Sequence, residues 1–115
     1  MSTEENKRIA RMYHDLNPED VETLLTPDFI GRHNRPGSTW TRDQHKRYWT
    51  RHRGLKDVLH EQIAEGDWVA TRFTRTGTYE GQPAEVEMMQ FKRFEGGQIA
   101  EIWEYLDWKQ LEEQS

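Results

Sequence analysis

The sequence predicts an α+β domain in which helices come first and an antiparallel meander follows. Three observations predict it. Helix-start signals and apolar stripes at helical spacing fill the chain up to Gly54. From Lys56 the apolar period drops to two, the spacing of a half-buried strand. Short turn signals, Gly96-Gly97 the strongest of them, then separate successive strand segments. Helices followed by sequential strands make α+β, whereas regular alternation would make a parallel α/β sheet. With 115 residues and no internal repeat, linker or low-complexity segment, residues 1–115 form one domain.

Each element has a local cause. Ser2 and Glu5 have capping-box spacing, and Ile9, Met12, Tyr13 and Leu16 fall on one face of the helix that follows. Asn17-Pro18 starts a second helix with Asn as N-cap and Pro in the first position. Val21, Leu24 and Leu25 give it a short stripe, and Pro27 ends it. "DFIGRH" reads as a short strand and "NRPGSTW" as a loop. Thr41 with Gln44 opens a third helix, stopped by Gly54. Its inward stripe is His45, Tyr48, Trp49 and His52, which leaves Arg42, Lys46, Arg47, Arg51 and Arg53 to solvent. "DVLHEQIA", "WVATRFTRTGTY", "VEMMQFKRF" and residues 99–106 are the four long strands, turned at Glu65-Gly66-Asp67, "EGQPAE" and Gly96-Gly97.

Composition narrows the function. Apolar residues are 33 % and charged residues 32 %, so thirteen aromatics (five Trp, four Tyr, four Phe) must supply much of the core. So thin a supply suits a small core around a pocket, or a dimer that buries one more face. The net charge of −5 argues against bulk nucleic-acid binding. The basic stretch "TRDQHKRYWTRHRGLK" turns its aromatics inward by helical phase, so its cations form a solvated face and no nucleic-acid partner is expected. The chain has no cysteine, which excludes disulfides, thiolate metal sites and cysteine nucleophiles. "MSTEENKRIARMY" carries no apolar run, so no signal peptide or membrane anchor is expected and the location expected is cytoplasmic.

Other chemistry is absent by motif. "HEQIA" begins like a zinc helix but lacks the second histidine and sits in a strand pattern. No His-X-His pair, carboxylate cluster or phosphate-cradling glycine loop occurs, so neither metal nor cofactor is expected. Ser2, Ser38 and Ser115 are the only serines, none in a nucleophile-elbow context.

One residue stands out. In the last strand, one face carries Ala100, Ile102, Glu104 and Leu106, and the other carries Ile99, Glu101, Trp103 and Tyr105. Glu104 thus sits in an apolar row, where a carboxylate must be paired, solvated by a cavity or held neutral. Two readings follow. Glu104 is a desolvated acid with a raised pKa, poised to move a proton next to a carbonyl. Alternatively it is paired with Arg72, Arg75 or Lys92 on a neighbouring strand.

The segments "NKRIARMYHDL", "LLTPDFIGRH", "AEGDWVATRFTRTGTYEG" and "FEGGQIAEIWEYLDW" resemble, in order and spacing, the SnoaL-like polyketide cyclases of the nuclear transport factor 2-like superfamily. The resemblance covers nearly the whole chain. It implies a cystatin-like cone, in which a curved antiparallel sheet wraps around three helices with a pocket at its open end. It also implies a homodimer through the outer sheet face and a small apolar ligand in the cone. In the cyclases a carboxylate after the tryptophan of the last strand is general acid and base, and Glu104 stands there in place of the usual Asp. A histidine on the preceding strand assists in the cyclases, and Gln90 occupies that place. Tyr13 matches a tyrosine of the first helix that reaches the pocket. Glu104, Gln90 and Tyr13 are therefore the catalytic candidates, and His33, Trp40, Trp49, Met88 and Ile102 the ligand-binding ones. Cofactor-free isomerase, cyclase or dehydratase chemistry is implied; a non-catalytic dimeric binding module is the alternative. Epoxide hydrolysis also occurs in the superfamily, but its carboxylate, arginine and second carboxylate cannot be placed from spacing.

Overall fold

The computed structural model describes residues 2–79 and 81–107, with only the backbone at Tyr79. Glu80 of the expected turn, Trp108 and Ser115 lie outside the described residues. The elements are α1 (Thr3–Tyr13), a 3-10 turn (Pro18–Asp20), α2 (Val21–Leu24), β1 (Leu25–His33), β2 (Thr39–Thr41), α3 (Arg42–Arg51), β3 (Lys56–Glu65), β4 (Trp68–Tyr79), β5 (Gln82–Glu95) and β6 (Gln98–Leu106). The fold is α+β, with three helices packed on a six-stranded sheet of order β2-β1-β6-β5-β4-β3. Among the described residues no helix is long and apolar enough to cross a membrane.

The caps act where the sequence places them, with one difference. The Ser2 hydroxyl accepts from the Glu5 amide, but the Glu5 carboxylate turns away to Arg8, so only half of that capping box forms. Thr41 and Gln44 form the full reciprocal box at the start of α3. The buried stripe of α1 is Asn6, Ile9, Ala10 and Tyr13, and Met12 lies exposed one position off it. His52 is the C-cap of α3 and stacks on Tyr48, whose ring is half exposed, so the inward stripe narrows to His45 and Trp49. Pro27 lies inside β1, and the strand therefore starts earlier than "DFIGRH". The expected loop "NRPGSTW" ends in the short strand β2, antiparallel to β1.

The β3–β6 meander forms as expected, and β6 then pairs in parallel with β1. Register stacks the inward residues into rows across the strands. Gly31, Ile102, Lys92 and Val69 make one row, and His33, Glu104, Gln90 and Thr71 the next. Leu106, Met88, Phe73 and Leu59 follow, then Val86, Arg75 and Asp57.

The helices close one end of this surface. Ile9, Leu16, Val21, Leu24, Leu25, Phe29, Val69, Phe94, Ile99 and Ile102 form the main core there. Phe73, Val86 and Met88 form a smaller apolar cluster towards the other end. Between the two clusters the inner face is polar, and that band is the candidate site.

Candidate active site

A cavity of about 480 Å³ opens beside the polar band. Trp40, Trp49, Leu55, Val86, Met88 and Leu106 form its apolar wall, and Tyr13, His33, Ser38, His45, Arg75 and Glu104 its polar one. Its volume is that of a small-molecule site. Gly31 makes room for the wall. A Cβ there would lie 2.1 Å from Trp40 Cε2, so only glycine lets the indole lie flat on β1. Trp40 in turn stacks on His33 with ring centroids 4.5 Å apart.

Glu104 is buried and fully engaged. His33 Nε2 lies 2.7 Å from Oε2, and Gln90 Nε2 donates to Oε1 at 2.5 Å. Arg75 Nη1 stands 3.7 Å from Oε1. Burial alone would raise this carboxyl. The His33 hydrogen bond, the Arg75 charge and the Gln90 amide outweigh it and hold the group at about 2. Glu104 is therefore ionised, and of the two sequence readings the paired one describes it. The expected raised pKa is corrected: the row is apolar in sequence, but its neighbours on β1 and β5 are polar.

A second layer fixes this pair. Lys92 Nζ donates to Gln90 Oε1 at 2.7 Å, which points the amide NH2 at Glu104. Lys92 also lies 2.8 Å from His14 Nε2 and 4.6 Å from the centre of the Tyr13 ring. His14 Nδ1 is 2.7 Å from Asp57 Oδ2, and Asp57 takes a bidentate bond from Arg75 at 2.7 and 2.9 Å. Polar contacts thus run from Glu104 through Gln90, Lys92, His14, Asp57 and Arg75 back to Glu104. Burial pushes the Lys92 ammonium down to about 7, with Asp57 and Glu104 pulling it back up. Burial and the Lys92 charge push His14 down to about 3, so the ring is neutral despite Asp57. Asp57 is held below the usual carboxylate range, because Arg75 and His14 outweigh its burial.

Tyr13 and His45 form the roof. Trp40 Nε1 donates to His45 Nδ1 at 2.6 Å, and burial pushes His45 down to about 3. The neutral ring then carries its proton on Nε2, 3.1 Å from the Tyr13 hydroxyl, which accepts it. The Tyr13 proton is left for another acceptor, and burial, then Glu104, raise its pKa.

The candidates therefore separate. Glu104, Tyr13, His33, Trp40, Trp49 and Met88 all face the cavity. Gln90 does not: it lies behind Glu104, with its amide bonded to Glu104 and Lys92 and within reach of the Tyr13 hydroxyl. Ile102 does not either. It is two residues nearer the helix-covered end, where Leu25, Phe29 and Ile99 fill the space, so it is a core residue. Met89 points outward and is 47 % exposed. Arg72 pairs with Glu61 on the outer face and leaves Arg75 as the partner of Glu104.

Sequence reasoning missed how His33 is used. The cyclases' histidine is absent at 90, but β1 supplies one from the opposite side of Glu104 through the register His33↔Glu104. It also missed Asp57, His14 and His45. Their only sequence signal was a polar residue at an inward position, which in His45 was visible on the α3 stripe. Among the described residues no group of three or more His, Asp or Glu is arranged to hold a metal ion.

A family model described as a SnoaL-like domain matches residues 7–102. The chain belongs to the SnoaL-like domain family. No curated protein sequence matches it significantly. Solved structures do. A Jannaschia sp. CCS1 protein assigned as a SnoaL-like polyketide cyclase superposes with TM-score 0.82 at 16 % identity, over 97 % of this chain and 92 % of that one. A LEH-like epoxide hydrolase from M. tuberculosis gives 0.80 at 19 % identity, over 97 % and 90 %. A Catenulispora acidiphila DSM 44928 protein with a ketosteroid isomerase-like fold, solved with trimethylamine, gives 0.78 at 22 %, over 100 % and 94 %. At such identities the likeness is one of fold. It places this SnoaL-like domain on a scaffold that hosts several chemistries.

Proposed function

We propose that this SnoaL-like domain is a cofactor-free acid–base catalyst of the isomerase, cyclase or lyase type, acting on a small apolar carbonyl compound. One observation carries the reading: the ionised Glu104, hydrogen-bonded to His33, stands in the wall of an apolar cavity beside the Tyr13 hydroxyl. The His33–Glu104 pair takes a proton from the carbon next to the substrate carbonyl. The electron pair moves onto the carbonyl oxygen, and Tyr13 donates its hydrogen bond to the charge that develops there. Gln90 and Lys92 hold Glu104 in place and do not touch the substrate.

The test is deuterium exchange at the α-carbon of enolisable cyclic ketones and 1,3-diketones, followed by NMR. Wild-type protein should exchange above the buffer rate, with Glu104→Gln slower by about 10²-fold or more. Exchange at the buffer rate, or equal rates for both proteins, would sink the proposal.

A second reading has its own support. A carboxylate held at about 2 is a weak base, which favours a binding module in which Glu104 only accepts hydrogen bonds from a ligand. Ligand-dependent stabilisation without turnover would select it. Epoxide hydrolysis gains a carboxylate–arginine–carboxylate set in Asp57, Arg75 and Glu104. Asp57, however, is fully buried outside the cavity wall and has no route to an epoxide there.

The proposal includes a homodimer through the outer sheet face and a cytoplasmic setting, which suits a cysteine-free chain. Ile63, Ala70, Phe91 and Trp103 form one outward row in register, with Met89 and Tyr105 in the next. Ile63 is 67 % exposed and Phe91 42 %, an apolar stripe that a second copy would cover. Sedimentation should give twice the 13.8 kDa chain mass, and Phe91→Glu should halve it. A monomeric wild type would overturn the dimer.

A further inference from the structure

The β1–β2 hairpin adds a third residue, Ser38, to the pair that the proton-abstraction reading uses. Ser38 Oγ lies 2.7 Å from His33 Nδ1, and both residues line the cavity. On the far side of the same ring, His33 Nε2 lies 2.7 Å from Glu104 Oε2. An ionised carboxylate can only accept, so in the neutral ring the proton sits on Nε2. Nδ1 then presents its lone pair to Ser38 and accepts from the Oγ–H. The backbone holds Ser38 in place. His33 N–H donates to the Ser38 carbonyl at 3.0 Å, and Ser38 N–H to the Arg35 carbonyl at 3.1 Å.

We infer that Ser38, His33 and Glu104 form a nucleophile–base–carboxylate triad, and that the domain can cleave activated carboxylic esters of small apolar acids through an acyl-Ser38 intermediate. The order is that of the hydrolase triads: nucleophile and base within hydrogen-bond reach, and the base oriented by a third group. Here the imidazole is turned round, with Nδ1 facing the serine and Nε2 the carboxylate. Motif reading passes over Ser38 because it sits on a hairpin rather than on a strand-to-helix elbow.

The steps balance without a co-reactant beyond water. Ser38 Oγ attacks the ester carbonyl carbon and its proton passes to His33 Nδ1. The tetrahedral intermediate collapses, the C–O bond to the alcohol or phenol breaks, and that oxygen leaves with the His33 proton. Water then gives a proton to Nδ1 as its oxygen attacks the acyl carbon; the bond from that carbon to Ser38 Oγ breaks, Oγ takes the proton back from Nδ1, and the acid is released. The Tyr13 hydroxyl, whose proton is not committed to His45, faces the same cavity for the developing oxyanion.

The inference shares His33 and Glu104 with the proposed function, so the experiment separates the two. Full-length protein is incubated with an alkyl fluorophosphonate, and adducts are read by intact mass and peptide mapping. We expect one phosphonyl adduct, on Ser38. Ser38→Ala should lose it while keeping its thermal midpoint. His33→Asn, folded by circular dichroism, should label at least 100-fold more slowly. No adduct on folded wild type, an adduct elsewhere, or His33→Asn labelling at the wild-type rate would overturn the triad and leave the exchange reaction standing.

Discussion

Glu104 combines full burial with a full charge, and that combination sets what its replacement costs. Gln at 104 keeps the shape but removes the anion that His33 and Arg75 face. Breaking a buried pair from one side typically costs about 3 kcal/mol or more. We expect Glu104→Gln to lower the urea midpoint at pH 7 by about that much free energy. The sign of the pH dependence follows from the lowered pKa. Glu104 contributes its stability above the unfolded value of 4.5, and the contribution is lost as pH falls through about 2. The gap between wild type and variant should therefore narrow below pH 4.5. A variant as stable as wild type, or more stable, would mean that the carboxylate is neutral or unpaired.

At the scale of the element, α3 matters because it carries His45 and Trp49 to the cavity and begins at the reciprocal box of Thr41 and Gln44. Thr41→Ala removes the acceptor for the Gln44 amide, and loss of such a cap costs about 1 kcal/mol. Thr41 is also the last residue of β2, one position after Trp40, whose indole donates to His45. The substitution should lower the unfolding free energy by that amount and loosen Trp40 against His45, visible as a change in tryptophan emission. An unchanged midpoint would mean that α3 is held by packing alone. The hairpins obey the same local logic. Gly96-Gly97 closes β5 onto β6 with φ of 55° and 83°, values that glycine adopts without strain.

Across the whole molecule, the buried histidines govern the response to acid. His14 and His45 are both neutral when folded, held at about 3 against an ordinary 6.5 chiefly by burial. Between those values the unfolded chain binds protons that the folded chain refuses. The stability these two rings contribute is therefore complete above about pH 6.5 and falls as pH drops towards 3, at about 1.4 kcal/mol per pH unit for each group. Lys92, lowered to about 7 from 10.5, has the same sign at higher pH. Urea midpoints measured from pH 7.5 to pH 4 should fall throughout, the Lys92 share tailing off near pH 7 and the histidine share setting in near pH 6.5, before any carboxylate titrates. A flat profile down to pH 5 would mean that these rings take up protons freely in the folded state.

Local signals by themselves determined the helices-then-meander order, the turn at Gly96-Gly97, the Ser2 N-cap of α1 and the capping box of α3. Each depends on residues a few positions apart, where periodicity, capping and turn chemistry act directly. They also picked out Glu104, because a charge in an apolar row is visible in one strand. Its charge state and its partners were decided only by the tertiary structure. The parallel pairing of β1 with β6 brings His33 to Glu104, and the meander lays Arg75, Asp57 and Lys92 on the same inner face. Strand period says which face a residue takes but not which distant strand lies beside it. A carboxylate's pKa is set by those neighbours and by burial, so the same Glu104 could be read as neutral in one strand and is ionised in the sheet.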